Sequence, residues 1–207
     1  MDSLPAPLQE LLGTSIWEAV GVITAILYLV LATARSQWCW LFAFISSAIY
    51  VVVMWRAHLV MDTLLSVFYV IMALYGYWQW RRGQASDGDL HIVSWTWRQH
   101  LLALAAVFVA SAINAWILKE HVAIARSPWL DSLVTWGSVL TTFMVTRRVI
   151  ENWLYWIVVD GVGAYLYYTR ELHVTALLFV AYVLMVIYGY FNWRKRAAAE
   201  AALRGMA

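Results

Sequence analysis

Seven apolar segments, each long enough to cross a lipid bilayer, dominate this chain of 207 residues. They cover residues 15–34, 38–55, 59–80, 98–118, 129–146, 150–168 and 172–193. An α-helix rises ~1.5 Å per residue, so about 20 apolar residues span a hydrocarbon core about 30 Å thick. With 64% hydrophobic and 13% charged residues, the chain has too much apolar surface for a soluble domain. The sequence therefore predicts an all-α integral membrane protein, with a single membrane domain over residues 1–207.

Residues of the first half of the chain recur in the second half at a constant difference in residue number, here named the repeat offset. It aligns Arg35 with Arg148, Trp40 with Trp153, Tyr69 with Tyr182, and Trp80 with Trp193. Each repeat, over residues 15–82 and 128–195, holds three spans, so two repeats joined directly would have opposite orientations. The extra span at 98–118 links the repeats and restores the match. The duplication thus predicts seven transmembrane helices in a 3+1+3 arrangement with two parallel three-helix repeats.

Basic residues predict how the chain is oriented. With the amino terminus outside, ten lysines and arginines lie on the cytoplasmic side. Four remain outside, namely Arg56, Lys119, Arg126 and Arg170. This bias satisfies the positive-inside rule and predicts a multi-pass protein with its carboxyl terminus in the cytoplasm. The first ten residues lack the basic region of a cleaved signal, so we expect the first span to be retained.

Polar and aromatic side chains interrupt the sixth span and form the main candidate site. Asn152, Trp156 and Asp160 recur at helical spacing, with Trp153 beside them, so they share one face of a helix. Asp160 lies about 15 Å into the span, where an acid facing lipid costs about 2.5–3.5 kcal/mol on insertion scales. We therefore expect it to face a cavity between the repeats. Interfacial tryptophans and a structural hydrogen-bonding aspartate are the alternatives.

Further candidates come from the sequence around this face and from the repeat. Glu151 precedes the motif, and Ser47 aligns with Asp160 in the other repeat, where a small hydroxyl also suits close helix packing. Tyr69 and Tyr182 are a repeat-matched pair, suited either to core packing or to two hydroxyls at the cavity. Acids in the first turns of the first and fifth spans, such as Asp131, are stabilised by the positive end of the helix dipole.

The chemistry of this face indicates a ligand class. Indole rings stack on planar groups and attract cations, and a carboxylate adds charge complementarity. A small, flat, hydrogen-bonding heterocycle, with a positive charge as one option, fits this set. The chain offers no lysine within a span for a retinal Schiff base and no histidine beside a buried nucleophile. We expect no enzyme activity, no catalytic residue, no metal site and no cofactor, and scattered basic residues give no nucleic-acid-binding module.

The sequence Glu151-Asn152-Trp153-x-x-Trp156-x-x-x-Asp160 and the duplicated Tyr-Gly-Tyr-x-x-Trp ends resemble the PnuC family of bacterial vitamin transporters. The resemblance covers roughly residues 15–195. It implies a fold similar to the SWEET sugar transporters and uptake of nicotinamide riboside across the bacterial cytoplasmic membrane. It also implies facilitated diffusion, with trapping by an intracellular kinase. Asn152, Trp153, Trp156 and Asp160 would then line the substrate site.

One departure leaves the substrate open. Nicotinamide riboside members carry Asn where this chain has Asp160, and an acid there resembles the thiamine branch. Both vitamins are planar cations, whereas riboflavin is uncharged and larger. Nicotinamide riboside is the first hypothesis, thiamine the second, and riboflavin a weaker third. A proton-coupled carrier and a non-transporting scaffold are the rival classes. Membrane lipids are expected partners, and the sequence leaves open whether the protein forms a homo-oligomer.

Overall fold

A computed structural model describes residues 16–56, 60–87, 91–121 and 127–205. Over these residues the chain forms seven α-helices. They are α1 (Ile16–Thr33), α2 (Cys39–Arg56), α3 (Val60–Asp87), α4 (Trp97–His121), α5 (Pro128–Thr146), α6 (Asn152–Thr169) and α7 (His173–Gly205). The repeat offset places the first residues of α1, α2 and α3 on those of α5, α6 and α7 to within one position. The duplication predicted from the sequence thus recurs in the helix boundaries.

Four helices, α1, α2, α4 and α7, are long and apolar enough by length and composition to cross a membrane. The remaining three carry the acidic residues Asp62, Asp131 and Asp160 on α3, α5 and α6 respectively. They also bury hydroxyl groups, including those of Thr63 and Ser138. Of these three acids, Asp160 is buried in the bundle.

Two helices extend beyond the predicted spans. α3 continues to Asp87, past the predicted end of the third span at residue 80. Arg82, Gln84 and Ala85 are good helix formers, which explains the extension. Gly83 also lies against Arg148, because a Cβ there would come 2.5 Å from the Arg148 Nη1 atom. α7 runs to Gly205, well past the end predicted for the seventh span.

The helices pack in two matching groups of three. α2 packs between α1 and α3, and α6 packs between α5 and α7. The groups meet where α3 contacts α5 and where α1 contacts α7, two contacts that exchange when the repeats are exchanged. α4 packs mainly on α5, and its His100 ring stacks on that of Tyr155 of α6 with the centroids 5.8 Å apart. A parallel β-bridge between Val93 and Val149 ties the segment before α4 to the second group.

The turns after α1 and α5 have the same backbone geometry. Arg35 and Arg148, which the repeat aligns, have positive φ angles of 58° and 60°. The Ser36 N–H donates to the Leu31 carbonyl at 2.9 Å, and the Val149 N–H donates to the Met144 carbonyl at 3.0 Å. These are the bonds of a Schellman turn, which usually places glycine at the left-handed position. Arginine costs roughly 1–2 kcal/mol there, so its presence in both repeats indicates a side-chain role.

Four buried tryptophans, Trp40, Trp80, Trp153 and Trp193, form the centre of the core, here named the tryptophan cluster. The Trp40 and Trp80 rings meet edge to face with centroids 5.4 Å apart, and those of Trp153 and Trp193 do so at 5.3 Å. Trp80 and Trp193 join the two pairs at 6.2 Å. All four lie near the ends of α1 and α5, so the cluster closes one end of the bundle.

Each group of helices also hydrogen-bonds to the other through this cluster. The Trp80 indole N–H donates to the Val145 carbonyl of α5 at 3.2 Å. The Trp193 indole N–H donates to the Ala32 carbonyl of α1 at 3.1 Å. The repeat offset relates these two bonds, donor to donor and acceptor to acceptor. Because both donors and acceptors are buried, these bonds fix how the repeats meet.

Substituting glycine beneath the cluster tests this packing. A Cβ on Gly76 would lie 2.5 Å from Trp40, and one on Gly189 would lie 2.8 Å from Trp153. We expect Gly76→Ala and Gly189→Ala each to lower the free energy of unfolding by about 1–3 kcal/mol through overpacking. Thermal melting in detergent measures the effect. Gly161→Ala is the matched control, because an added Cβ there meets nothing within 4 Å. Equal melting temperatures for all three variants would contradict the packing.

Candidate functional site

Asp160 lies at the middle of α6, and tyrosines of three other helices lie within electrostatic range of it. Its side chain is buried, with a relative exposure of 6%. It interacts electrostatically with Tyr28 of α1, Tyr69 of α3 and Tyr182 of α7. Among the described residues, no basic side chain forms an ion pair with Asp160. The structure thus brings three predicted site residues, Asp160, Tyr69 and Tyr182, together between the repeats, and adds Tyr28, which the sequence analysis missed.

The two repeat-matched tyrosines have different surroundings. The Tyr69 hydroxyl is within hydrogen-bonding reach of the Ser138 side chain on α5, across the contact between the repeats. The position that matches Ser138 in the first repeat is Ala25, which has no hydroxyl. Tyr182 instead packs its ring 5.6 Å from that of Phe179. The pair is therefore symmetric in position and asymmetric in partners.

Asn152 starts α6 and is fully buried. Its side-chain N–H donates to the Val149 carbonyl at 2.6 Å, and its Oδ1 atom has no hydrogen-bond partner among the described residues. A buried acceptor without a partner costs roughly 1–3 kcal/mol, so it suits a donor brought by a ligand or water. Asn152 lies two helical turns, or about 12 Å, from Asp160 along the same helix.

The two predicted site tryptophans have different environments. Trp153 is buried in the tryptophan cluster against Trp193 and Gly189, and its indole nitrogen has no partner among the described residues. Trp156 is half-buried and packs on the edge of that core. It stands one helical turn closer to Asp160. Only Trp156 therefore has a partly free ring beside the acid.

The remaining predicted residues, Glu151 and Ser47, lie in different places. The Glu151 carboxylate accepts a hydrogen bond from the Ser94 hydroxyl and another from the Trp95 N–H at 3.3 Å. It therefore ties the segment before α4 to the start of α6. Ser47 is buried on α2, next to Ser46, whose hydroxyl donates to the Gly21 carbonyl at 2.9 Å. That bond brings α1 and α2 close together, as expected for small hydroxyls in a helix contact.

An ion pair at the opposite end from the tryptophan cluster escaped the sequence analysis. Arg170 Nη2 lies 2.6 Å from Asp131 Oδ1 and 2.8 Å from Oδ2. Asp62 of α3 interacts electrostatically with both residues, so the group spans the contact between the repeats. Asp131 thus has a partner beyond the helix dipole that its position in the first turn suggested. Arg170 follows α6 and gave no motif that would have revealed the pairing.

A family model and several known proteins match the sequence of this chain. A family model described as nicotinamide mononucleotide transporter matches residues 15–195. The riboflavin/roseoflavin transporter RibM of Streptomyces davaonensis is 28% identical over 92% of this chain and 91% of its own length. The nicotinamide riboside transporter PnuC of Haemophilus influenzae is 28% identical over 85% of this chain and 78% of its own length. PnuC of Neisseria mucosa is also 28% identical, over 86% and 71%.

A solved structure shares the fold. The crystal structure of the vitamin B3 transporter PnuC superimposes with a TM-score of 0.70 at 24% sequence identity. The match covers 87% of this chain and 81% of the other. The helical architecture is therefore that of a known membrane transporter.

A double-mutant cycle tests the ion pair between Asp131 and Arg170. The two side chains are 29% and 30% exposed, so solvent screening reduces their coupling. We expect Asp131→Asn and Arg170→Gln to be non-additive, with a coupling energy of about 0.5–1 kcal/mol in unfolding experiments in detergent. High salt should reduce the coupling. Strictly additive effects at low salt would show that the pair contributes nothing.

Proposed function

This chain belongs to the nicotinamide mononucleotide transporter family of vitamin transporters, which includes PnuC, and on that premise we propose that it carries nicotinamide riboside. Transport would proceed across the bacterial cytoplasmic membrane by facilitated diffusion, with phosphorylation inside the cell trapping the product. The observation that supports this substrate is the buried Asp160 carboxylate, which has no basic partner among the described residues. Such an acid is most stable beside a cation, and nicotinamide riboside carries its positive charge on a flat ring.

The proposed binding residues surround that acid. Asp160 would balance the charge of the pyridinium ring, and Trp156 would stack on it or attract it through a cation–π contact. The Tyr182 hydroxyl and the unpartnered Asn152 Oδ1 would bind ribose hydroxyls or the carboxamide. Asn152 and Asp160 are about 12 Å apart along α6, a separation that suits a ligand of nucleoside length.

Riboflavin is less suited to the site than either cation. The identity of this chain to the riboflavin transporter equals its identity to two nicotinamide riboside transporters, so identity does not separate them. We favour the cations over riboflavin because a neutral flavin would leave the Asp160 carboxylate buried without an opposite charge. Thiamine is the second candidate, since it is also a planar cation and the acid favours it equally.

We also propose the 3+1+3 arrangement, in which all seven helices cross the membrane and the repeats are parallel. The matching helix boundaries, the paired contacts of α3 with α5 and α1 with α7, and the two equivalent indole bonds support it. The amino terminus would lie outside. The tryptophan cluster would then close the cytoplasmic end, and the pair of Asp131 and Arg170 would lie at the outer end.

Transport would consist of one three-helix group rocking against the other around Asp160. Opening the inner end would separate the buried rings and the two indole hydrogen bonds that join the groups. The ion pair of Asp131 and Arg170 lies within the second group, so rocking would leave it intact.

Replacing the carboxylate tests the charge of the site. We expect purified protein to bind nicotinamide riboside more tightly than riboflavin, and Asp160→Asn to weaken that binding about 30-fold or more, because removing one of two buried opposite charges costs about 2 kcal/mol or more. Isothermal calorimetry in detergent measures the Kd. Thiamine, titrated in parallel, decides between the two cations.

The matched control is Glu120→Gln, which removes an acid exposed at the end of α4. It should leave the Kd unchanged. Tighter binding of riboflavin than of either cation, or an Asp160→Asn variant with wild-type affinity for the cation, would contradict the proposal.

Replacing the half-buried indole tests the stacking contact. Trp156→Ala should weaken nicotinamide riboside binding about tenfold or more, and Trp156→Phe should weaken it less because a smaller aromatic face remains. The same calorimetric titration measures both variants. Trp78→Phe, at an exposed tryptophan of α3, serves as the control. A ligand that binds Trp156→Ala as tightly as wild type does not contact this ring.

A further inference from the structure

The turns that follow α1 and α5 each direct an arginine across the contact between the repeats. Arg148 lies against Gly83, on the extension of α3 beyond its apolar span. Arg35, its repeat match, forms an ion pair with Glu200 on the extension of α7. Each arginine therefore reaches the last helix of the other repeat. These contacts supply the side-chain role that the left-handed backbone of both arginines indicates.

The acid recurs in the sequence as the arginine does. The repeat offset aligns Glu200 with Asp87, the last residue of α3. Both repeats thus carry an arginine after their first helix and an acid on the extension of their third. Both charges of the ion pair therefore belong to the repeated pattern, although the acid lies outside the predicted apolar spans.

α7 delivers Glu200 to the turn after α1. Glu200 lies about two helical turns beyond Trp193, so the two side chains project from the same face of the helix. The three residues before Glu200 are alanines, the strongest helix formers, so the extension is stiff. Asn192 and Trp193 donate to the carbonyls of the last two residues of α1, at 2.8 and 3.1 Å. This face of α7 is therefore held against the end of α1.

The ion pair of Arg35 and Glu200 is well shielded from solvent. The two side chains are 12% and 15% exposed, against 30% and 29% for Arg170 and Asp131. Opposite charges attract more strongly where less water screens them, so the pair of Arg35 and Glu200 is the more strongly coupled of the two. His91 Nδ1 lies 3.8 Å from the second carboxylate oxygen of Glu200, so the segment before α4 meets the same acid.

The two ion pairs also differ in what they join. Asp131 and Arg170 both belong to the second group of helices. Arg35 belongs to the first group and Glu200 to the second. Rocking of one group against the other, with the inner end opening, therefore separates Arg35 from Glu200 and leaves the other pair together.

We propose that the ion pair of Arg35 and Glu200, here named the inner latch, holds the cytoplasmic end closed and breaks each time the protein opens toward the cytoplasm. The inference rests on the proposed function, because it assigns the pair to transport by rocking. The latch acts together with the indole hydrogen bonds of the tryptophan cluster. Removing either charge makes the inner end open more often and alters no residue of the proposed binding site.

The single cysteine of the chain reports on that opening. Cys39 is fully buried at the start of α2, in the same core as Trp40 of the first group and Trp153 and Trp193 of the second. Separation of the groups at this end exposes its thiol. The rate at which N-ethylmaleimide alkylates Cys39, followed by mass spectrometry of the purified full chain in detergent, therefore measures the opening and needs no vitamin.

We expect Glu200→Gln and Arg35→Gln each to speed the alkylation about fivefold or more, as for the loss of a coupled pair of charges. The double variant should exceed either single variant by less than about twofold, because each single variant already lacks the latch. Asp131→Asn is the matched control, because it breaks an ion pair within one group. Lys195→Gln, which removes an exposed charge on the extension of α7, is the second control. Both controls should react at the wild-type rate.

A wild-type rate in Glu200→Gln, or single-variant effects that multiply in the double variant, would overturn the latch. An Asp131→Asn variant that reacts as fast as Glu200→Gln would also overturn it, since general loss of stability would then explain the rates. These outcomes decide the latch whatever ligand the protein carries. Wild-type protein that binds neither nicotinamide riboside nor thiamine would instead refute the proposed function, and the alkylation rates would still decide whether the ion pair holds the inner end closed.

Discussion

The contact between the two repeats depends on two buried hydrogen bonds, each from an indole N–H of one repeat to a backbone carbonyl of the other. Trp80 and Trp193 donate them, and the rings of Trp40 and Trp153 pack against those donors edge to face. Because the acceptors lie at the ends of α1 and α5, the bonds fix one end of the bundle. The polar residues then occupy the space farther along the helices, where the repeats meet without indoles. Asp160 lies in that space, so the position of the site follows from the packing of the tryptophans.

Much of the fold follows from the sequence because the repeat supplies a second constraint on every helix. Apolar length predicted seven helices, and the repeat offset relates their boundaries, turns and core contacts. The ends of α3 and α7 were less predictable. Beyond a hydrophobic span, nothing in the pattern marks where a polar helix stops. Gly83 also lies against Arg148, and this contact joins residues that are far apart in the sequence.

The site was only partly predictable, since periodicity identifies a helix face without identifying what the face meets. Trp153 and Trp156 share that face, yet Trp153 contacts other indoles and Trp156 keeps a half-buried ring beside the acid. The repeat held the distinguishing signal: Trp153 has a matching tryptophan in Trp40, whereas Trp156 matches an alanine. Trp153, which both repeats share, thus lies in the core, and Trp156, which is present in one repeat, is proposed to contact the ligand.

An experimental structure of the protein with nicotinamide riboside bound would test the central claim most directly. The account predicts density for the pyridinium ring within about 4 Å of the Asp160 carboxylate and against the Trp156 ring, with an undisturbed tryptophan cluster. Density among Trp40, Trp80, Trp153 and Trp193, or in the apolar groove beside Tyr165 and Leu177 on the outside of the bundle, would contradict it.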